Sequence, residues 1–493
     1  MKVLMISVPL MEWLHGKLLP ISMDRIRSTP PLGVYWLAAV LRQHGHEADV
    51  LDLIALGEID APMIRAKAAQ ADLVGISCNT LNWPTARMVT NIVKMEYPDL
   101  PVVLGGIHPS GWPEHVLDRC PADFAILGEG EVPLVQLADA LSGKGQVAPI
   151  PGLAYRDEHL CTVVNPNAGL AGVDDVEALP IPAYDLLPDG AYETISIESA
   201  RGCKFKCTFC STKFLGSWRG VSAENFVDRI EAMQPFLRKS RYGVFGIIDD
   251  LYTLDIARTK MITDLLEDRG LRIQATLDAR ATDIIRGDVA EALVPITNQM
   301  LIGAECGYDE GLRKIKKGCT VKVLEEAAQR LNALGIAEKC VFSFVIGFPF
   351  ESAEDCRKTI AFATKLFTVY NTRVYLQWYN TIPGSAIWEG LEKDGAVGIW
   401  MYDDFGFFSN KHLFRAGVPL TLGEIKELSD VIRQLNTALL VTSGRDDIIQ
   451  FASPDWLFHG ETLDFPSHGV LENGQRPASA SRSEVAGLTQ LRS

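Results

Sequence analysis

The sequence predicts an α/β protein in which a doubly wound sheet is followed by an open barrel and then by a mainly helical C-terminal segment. Three observations carry this. Short apolar runs alternate with helical patterns over residues 1–145, strand followed by helix repeats six times over residues 193–392, and the alternation stops after about residue 393. A chain of 493 residues also exceeds what one ordinary core organises, so several domains are expected.

In the first segment the strands read as Val3–Val8, Ala48–Leu53, Leu73–Cys78, Val102–Gly105 and Phe124–Leu127. Helical periodicity falls between them at Leu32–His44, Ile59–Gln70, Thr85–Glu96 and Val132–Leu141. Such a sheet binds ligands beyond the carboxyl ends of its strands, and those ends are polar or glycine-rich here. Residues 146–192 are rich in proline and read as an ordered linker with a small hairpin around Gly152–Val164.

From residue 193 the strands read as Thr194–Ser199, Val244–Asp249, Arg272–Thr276, Gln299–Ala304, Val341–Ile346 and Arg373–Tyr379. The helices read as Ala223–Gln234, Asp255–Asp268, Asp283–Leu293, Glu310–Lys316, Val321–Leu334, Ala353–Phe367 and Ala386–Leu391. Six such units make an open three-quarter barrel, whose active site belongs at the carboxyl ends of the strands. In residues 393–493, Thr421–Leu440 reads as one amphipathic helix, and residues 453–493 read as a disordered tail.

A net charge of −15 argues against a broad nucleic-acid or anionic-membrane surface, and no apolar stretch is long enough to span a bilayer. Of ten cysteines, seven are scattered, as expected of reduced thiols in a cytoplasmic protein. The other three, Cys203, Cys207 and Cys210, stand in a C-x3-C-x2-C spacing directly after the first barrel strand, which puts them at the barrel mouth. Three thiols with no fourth Cys or His nearby suit a four-iron, four-sulfur cluster with one open iron, a redox thiol cluster or an incomplete zinc knuckle. The pattern downstream favours the first.

The run Arg201-Gly-Cys-Lys-Phe-Lys-Cys-Thr-Phe-Cys-Ser211 and its context resemble the radical S-adenosylmethionine (radical SAM) family. The stretches Pro30-Pro-Leu-Gly33, Val74-Gly-Ile-Ser77, Gly105-Gly-Ile-His108 and Gly128-Glu-Gly-Glu131 resemble the Rossmann-like cobalamin-binding domain that precedes the barrel in one large subgroup. The motifs together cover roughly residues 1–390. The resemblance implies three cofactors: a 4Fe-4S cluster, S-adenosylmethionine and cobalamin, the corrin lying between the two domains.

It also implies roles for particular residues. Phe209, Asp249, Glu305 and Gly347 become candidates for S-adenosylmethionine. Phe209 and Gly347 would meet the adenine, Gly347 by leaving room for the ring, while Asp249 and Glu305 would hold polar groups. Ser77, Thr80, Gly105, Gly106, His108, Gly128, Glu129 and Gly130 become candidates for cobalamin. Plainer readings stand beside these: Asp249 as a helix cap, Glu305 in a structural ion pair with Arg280, and His108 packed inside its loop. No D-x-H-x-x-G motif offers a lower cobalt ligand, and no residue is singled out as catalytic acid or base.

The function so implied is a cobalamin-dependent radical SAM methyltransferase acting on an unactivated carbon or phosphorus of a small molecule through a 5'-deoxyadenosyl radical and methylcobalamin. The alternatives are a cyclase or ring-rearranging enzyme with the same cofactors, or a radical SAM enzyme whose first domain no longer binds cobalamin. The implied partners are the substrate and an external electron donor such as flavodoxin or ferredoxin.

Overall fold

In a computed structural model of the chain, the structure describes residues 1–14, 17–20, 28–166, 176–211, 216–406, 414, 416–443 and 449–452. The expected tail at 453–493 lies outside these residues. Two sheets of seven strands organise the described part.

The first sheet contains β1 (Lys2–Ser7), β2 (Glu47–Asp52), β3 (Leu73–Ser77), β4 (Val102–Gly105), β5 (Phe124–Ile126), β6 (Leu153–Arg156) and β7 (Thr162–Val164). Its order is β2-β1-β3-β4-β5-β6-β7. β1 to β5 run parallel, and the chain reverses direction across the sheet beside β1, which makes the switch point where such sheets bind ligands. β1, β3 and β4 are buried on both faces, so they read as continuous apolar runs rather than alternating ones. The hairpin expected at 152–164 exists, but it is not part of a linker. β6 pairs antiparallel with β5 and extends the sheet beyond residue 145.

The second sheet is β8 (Thr194–Ile197), β9 (Val244–Ile247), β10 (Ala275–Ala279), β11 (Thr297–Glu305), β12 (Cys340–Ile346), β13 (Arg373–Trp378) and β14 (Ile449–Ala452), in sequential order and parallel throughout. Its helices start on the expected side chains. Ser222, Asp255, Thr320, Ser352 and Ser385 each accept a backbone N–H of the first turn, and Ser352 with Asp355 completes a capping box.

Two barrel expectations are corrected, and the mainly helical C-terminal segment adds a strand. The third strand starts at Ala275 rather than Arg272, because the chain first closes the preceding helix through the Leu271 N–H to Leu266 carbonyl bond. The helix expected at 283–293 is two short helices, Ala281–Ile284 and Val289–Leu293, separated by Gly287 in the left-handed region. The segment after 393 is not only helical: after the long helix Leu422–Ser443 it supplies the seventh strand.

The two sheets belong to one compact unit spanning Met1–Ser453. A buried carboxylate joins them at one place. Asp52 at the end of β2 accepts hydrogen bonds from Ser7 Oγ (2.6 Å), Tyr35 OH (2.7 Å) and Tyr192 OH (2.8 Å), the last lying just before β8. A second junction is built on Asp403. Asp403, beyond the sixth barrel unit, accepts from the indole N–H of Trp83 (2.8 Å) and from His115 Nε2 (2.9 Å), while Arg87 donates to the Asp403 carbonyl (2.8 Å). No helix among the described residues is long and apolar enough to cross a membrane.

Candidate functional site

The carboxyl ends of both sheets open onto a common region. A two-residue antiparallel ladder, Ala200–Arg201 against Arg219–Gly220, closes the base of the loop carrying Cys203, Cys207 and Cys210. Barrel strand ends grip this loop from several sides. The Asp250 carboxylate after β9 accepts from the Gly202 N–H (2.9 Å), and the Thr208 N–H donates to the Ile315 carbonyl (3.0 Å). Ser211 Oγ donates to the Pro383 carbonyl (2.8 Å), and Arg280 stacks 3.6 Å over the Phe205 ring.

The three thiols are electrostatic neighbours. Burial pushes Cys210 up to about 11, with Cys207 and Cys203 adding to the shift, and burial also raises Cys203. Ligation needs thiolates, so loading this loop with metal releases protons. Among the described residues no three His, Cys, Asp or Glu side chains, these cysteines included, meet tightly enough for a single ion.

Around the loop the structure separates the expected contacts. Phe209 meets Phe348 edge to face at 5.8 Å, and Phe348 continues to Tyr379 at 5.0 Å, forming an aromatic wall. Glu305, at the end of β11, is held at φ +65°, an uncommon conformation for a non-glycine residue and one that clusters at functional sites. Its carboxylate pairs with Lys317 Nζ at 2.9 Å rather than with Arg280, which instead donates to the Lys317 carbonyl. Asp278 at the mouth is pushed up to about 6 by burial and by Asp249 and Asp250, with Lys317 opposing.

Two of the residues expected at S-adenosylmethionine have partners within the protein. Asp249 is buried and spent, accepting from the Ser199 N–H (2.6 Å) and Ser199 Oγ (2.5 Å), so it ties β9 to the chain after β8. Its neighbour Asp250 is the one turned to the cluster loop. The Cβ side of Gly347 is filled: at φ +84°, a Cβ there would stand 2.9 Å from the Trp378 ring, so the indole packs on this glycine.

The second part of the region is a cavity of about 230 Å³ between the first sheet and the barrel mouth. Ser77, Gly105, Gly106, Gly128, Glu129 and Gly130 line it, as expected. Glu198, Arg201 and Ile248 close it from the barrel side. Gly106 is required here, since at φ +115° a Cβ would sit 2.4 Å from the Cys78 carbonyl oxygen.

Thr80 and His108 do not line the cavity. His108 is fully buried, with Nδ1 3.3 Å from Thr80 Oγ1 and its ring stacked on Trp83 at 4.8 Å. Burial holds its imidazole down to about 3, so it is neutral. His108 is therefore withdrawn as a cobalamin contact, and Thr80 holds it in place from outside the lining. His108→Ala is expected to leave the absorption spectrum of bound cobalamin unchanged while lowering stability by about 1–3 kcal/mol through loss of packing. A spectral change of the kind that accompanies loss of a nitrogen ligand would reverse that assignment.

The comparisons with known proteins fit this layout. The B12 binding domain family matches residues 27–138, and the Radical SAM superfamily matches residues 197–363. An uncharacterized methyltransferase of Pyrococcus horikoshii is 31% identical over 372 residues, covering 73% of this chain and 78% of that protein. The chain belongs to the cobalamin-binding radical SAM family. An anaerobic magnesium-protoporphyrin IX monomethyl ester cyclase of Rubrivivax gelatinosus is 27% identical over 354 residues, covering 68% of this chain and 62% of the cyclase. In fold, the radical S-adenosylmethionine methyltransferase TsrM of Kitasatospora setae, solved with cobalamin and a [4Fe-4S] cluster bound, superposes with a TM-score of 0.63 at 20% identity over 80% of this chain and 75% of that one.

This radical SAM family works with a four-iron cluster, S-adenosylmethionine and cobalamin, and the residues present suit them. The loop offers three thiols to one centre. The cavity offers bare backbone, since a Cβ on Gly33 or Gly105 would meet nothing within 4 Å. It also offers a donor: the Trp36 indole N–H is buried with no hydrogen-bond partner among the described residues.

Several participants had escaped sequence reasoning. Lys317 had no motif to mark it, Arg280 was weighed only as a partner of Glu305, and Asp250 was passed over for its neighbour Asp249. Glu131 and Arg201 stood inside quoted motifs, beside the residues selected.

Proposed function

We propose that this chain is a cobalamin-dependent radical SAM methyltransferase that methylates an unactivated carbon, or a phosphorus, of a small molecule. The observation that carries this reading is the shared wall between the two cofactor regions. Arg201 lines the cavity and stands two residues before Cys203, so the two cofactors would lie on either side of one short stretch of chain. Residues 1 to about 165 would form the cobalamin-holding domain, and residues from 193 on, with the strand at 449–452, the radical barrel.

When bound, the cluster and S-adenosylmethionine supply a carbon-centred radical, and cobalamin supplies the methyl group. The chain's part is to bind, orient and seal. Cys203, Cys207 and Cys210 would hold the cluster. The Phe209–Phe348 edge would flank the adenine, and the Glu305–Lys317 pair would present one carboxylate and one ammonium to the polar end of S-adenosylmethionine. Gly33 and Gly105 would let the corrin approach bare backbone. Electrons would come from an external carrier such as flavodoxin or ferredoxin, in the cytoplasm.

The deciding experiment is anaerobic purification with cobalamin, cluster reconstitution and product analysis. Methyl transfer yields S-adenosylhomocysteine together with 5'-deoxyadenosine and a methylated product. 5'-Deoxyadenosine without S-adenosylhomocysteine would instead identify a cyclase or rearrangement enzyme, the activity named for the Rubrivivax relative.

A residue-level test targets Glu305. Glu305→Gln is expected to weaken S-adenosylmethionine binding about tenfold or more, the ordinary cost of losing a charged hydrogen bond, with the cluster spectrum intact. Unchanged affinity would make the Lys317 pair purely structural.

A further inference from the structure

The sequence assigns Glu129 to the cofactor as a direct contact, but its carboxylate is engaged elsewhere. Arg219 grips it with two bonds, Nη2 to Oε1 at 2.6 Å and Nη1 to Oε2 at 3.1 Å, and Arg201 Nη1 approaches Oε1 at 3.5 Å. Arg201 is held further by Glu131 (2.7 Å) and Glu198 (2.5 Å), and lies 5.2 Å over the Trp36 ring.

The placement of the two arginines matters more than their number. Arg201 and Arg219 face each other in the ladder that closes the base of the cluster loop. The strands at both ends of that loop are therefore fastened to one carboxylate of the other domain. All of these side chains are no more than 19% exposed, so solvent and salt screen them weakly, and a two-pronged arginine–carboxylate bond fixes direction as well as distance. The same Glu129, Glu131, Glu198 and Arg201 line the cavity. At about 230 Å³ the cavity is smaller than the ~300–1,000 Å³ of an ordinary ligand pocket, so a large group filling it meets these side chains.

We propose that Glu129 is a positioning residue that couples the filling of the cavity to the geometry of the cluster loop, through Arg201 and Arg219. The proposal rests on the cofactors of the reading above and adds that their two sites communicate through this carboxylate. Binding free energies are reciprocal, so cobalamin must change S-adenosylmethionine affinity by the same factor as S-adenosylmethionine changes cobalamin affinity.

The test uses the full-length, cluster-reconstituted protein under anaerobic conditions. S-adenosylmethionine binding is titrated by equilibrium dialysis with the cluster left oxidised, so that nothing is cleaved, with and without hydroxocobalamin, and cobalamin affinity is read from its absorbance. The wild type is expected to show a coupling of about fivefold or more. In Glu129→Gln the coupling falls to about one while each ligand still binds alone. Glu129→Asp restores part of it, and Arg219→Lys, which keeps the charge but not the two-pronged grip, gives an intermediate value. Full coupling in Glu129→Gln, or none in the wild type, overturns the proposal. So does loss of cobalamin in Glu129→Gln with retention in Arg219→Lys, which makes Glu129 a direct ligand. A wild type that shows the coupling but forms no methylated product removes the proposed reaction and leaves the tether standing. A methylating enzyme whose coupling survives Glu129→Gln does the reverse.

Discussion

Replacing Cys203, Cys207 and Cys210 together by alanine abolishes both the bound iron and the cleavage of S-adenosylmethionine. The expected loss is complete because the three thiols share one loop, and no other cysteine is placed beside all of them. Cys319 is nearest in its electrostatics, with Cys207 among its neighbours, but it follows β11 on a separate segment. The fold should survive. The loop is held by bonds that do not involve sulfur, including Asp250 to Gly202, Ser211 to Pro383 and the Arg280 stack on Phe205. Circular dichroism close to wild type with iron below one per chain is the expected pair of readings. Full iron content in the triple variant would sink the assignment.

The second large effect concerns Asp403. Asp403→Ala leaves the Trp83 indole N–H, His115 and Arg87 facing a lost acceptor in a mostly buried setting. Removing one member of such a group costs about 3 kcal/mol, the lower end of the range for buried pairs because Arg87 keeps some contact with water. Burial pushes the Asp403 carboxyl up, but His115, Trp83 and Arg87 outweigh it and hold the group below the usual carboxylate range. The sign follows from linkage. Since the folded value is depressed, the contribution is fully present above the unfolded value of about 3.9 and is lost as pH falls through the folded one. Chemical denaturation of both proteins at pH 7 and near pH 3 should show the difference shrinking in acid. A constant difference would mean that Asp403 acts by packing and not by charge.

Much of this was legible in the sequence, for identifiable reasons. Strands buried on both faces announce themselves as apolar runs, so β1, β3, β4 and β12 were read to within one residue at their starts. The cluster loop was legible because its ligands are local. The cavity lining was legible because several glycines fall at neighbouring strand ends of one sheet, at 105–106 and 128–130. What stayed hidden depends on partners distant in sequence. Nothing near Asp249 says that Ser199 will occupy it, and nothing near Gly347 says that Trp378 fills its space. His108 stood in the sequence both as a cobalamin candidate and as a residue packed inside its loop, and its ring lies among Trp83, Trp112 and His115, as in the second reading. β14 was missed because four residues without clear alternation carry almost no signal until a neighbour is known.

The late arrival of that strand sets a timetable for synthesis. Ile449 pairs with Val374, so the outer edge of β13 stays unpaired while the intervening segment is translated. At ~5–20 residues per second that interval lasts roughly 4–15 s, long against the microsecond events that form hairpins and helices. During it the nascent chain presents a bare strand edge to its surroundings, the kind of surface that recruits another strand or a chaperone. The cysteine loop has by then long been made. Synthesis therefore delivers the thiols before the closing strand.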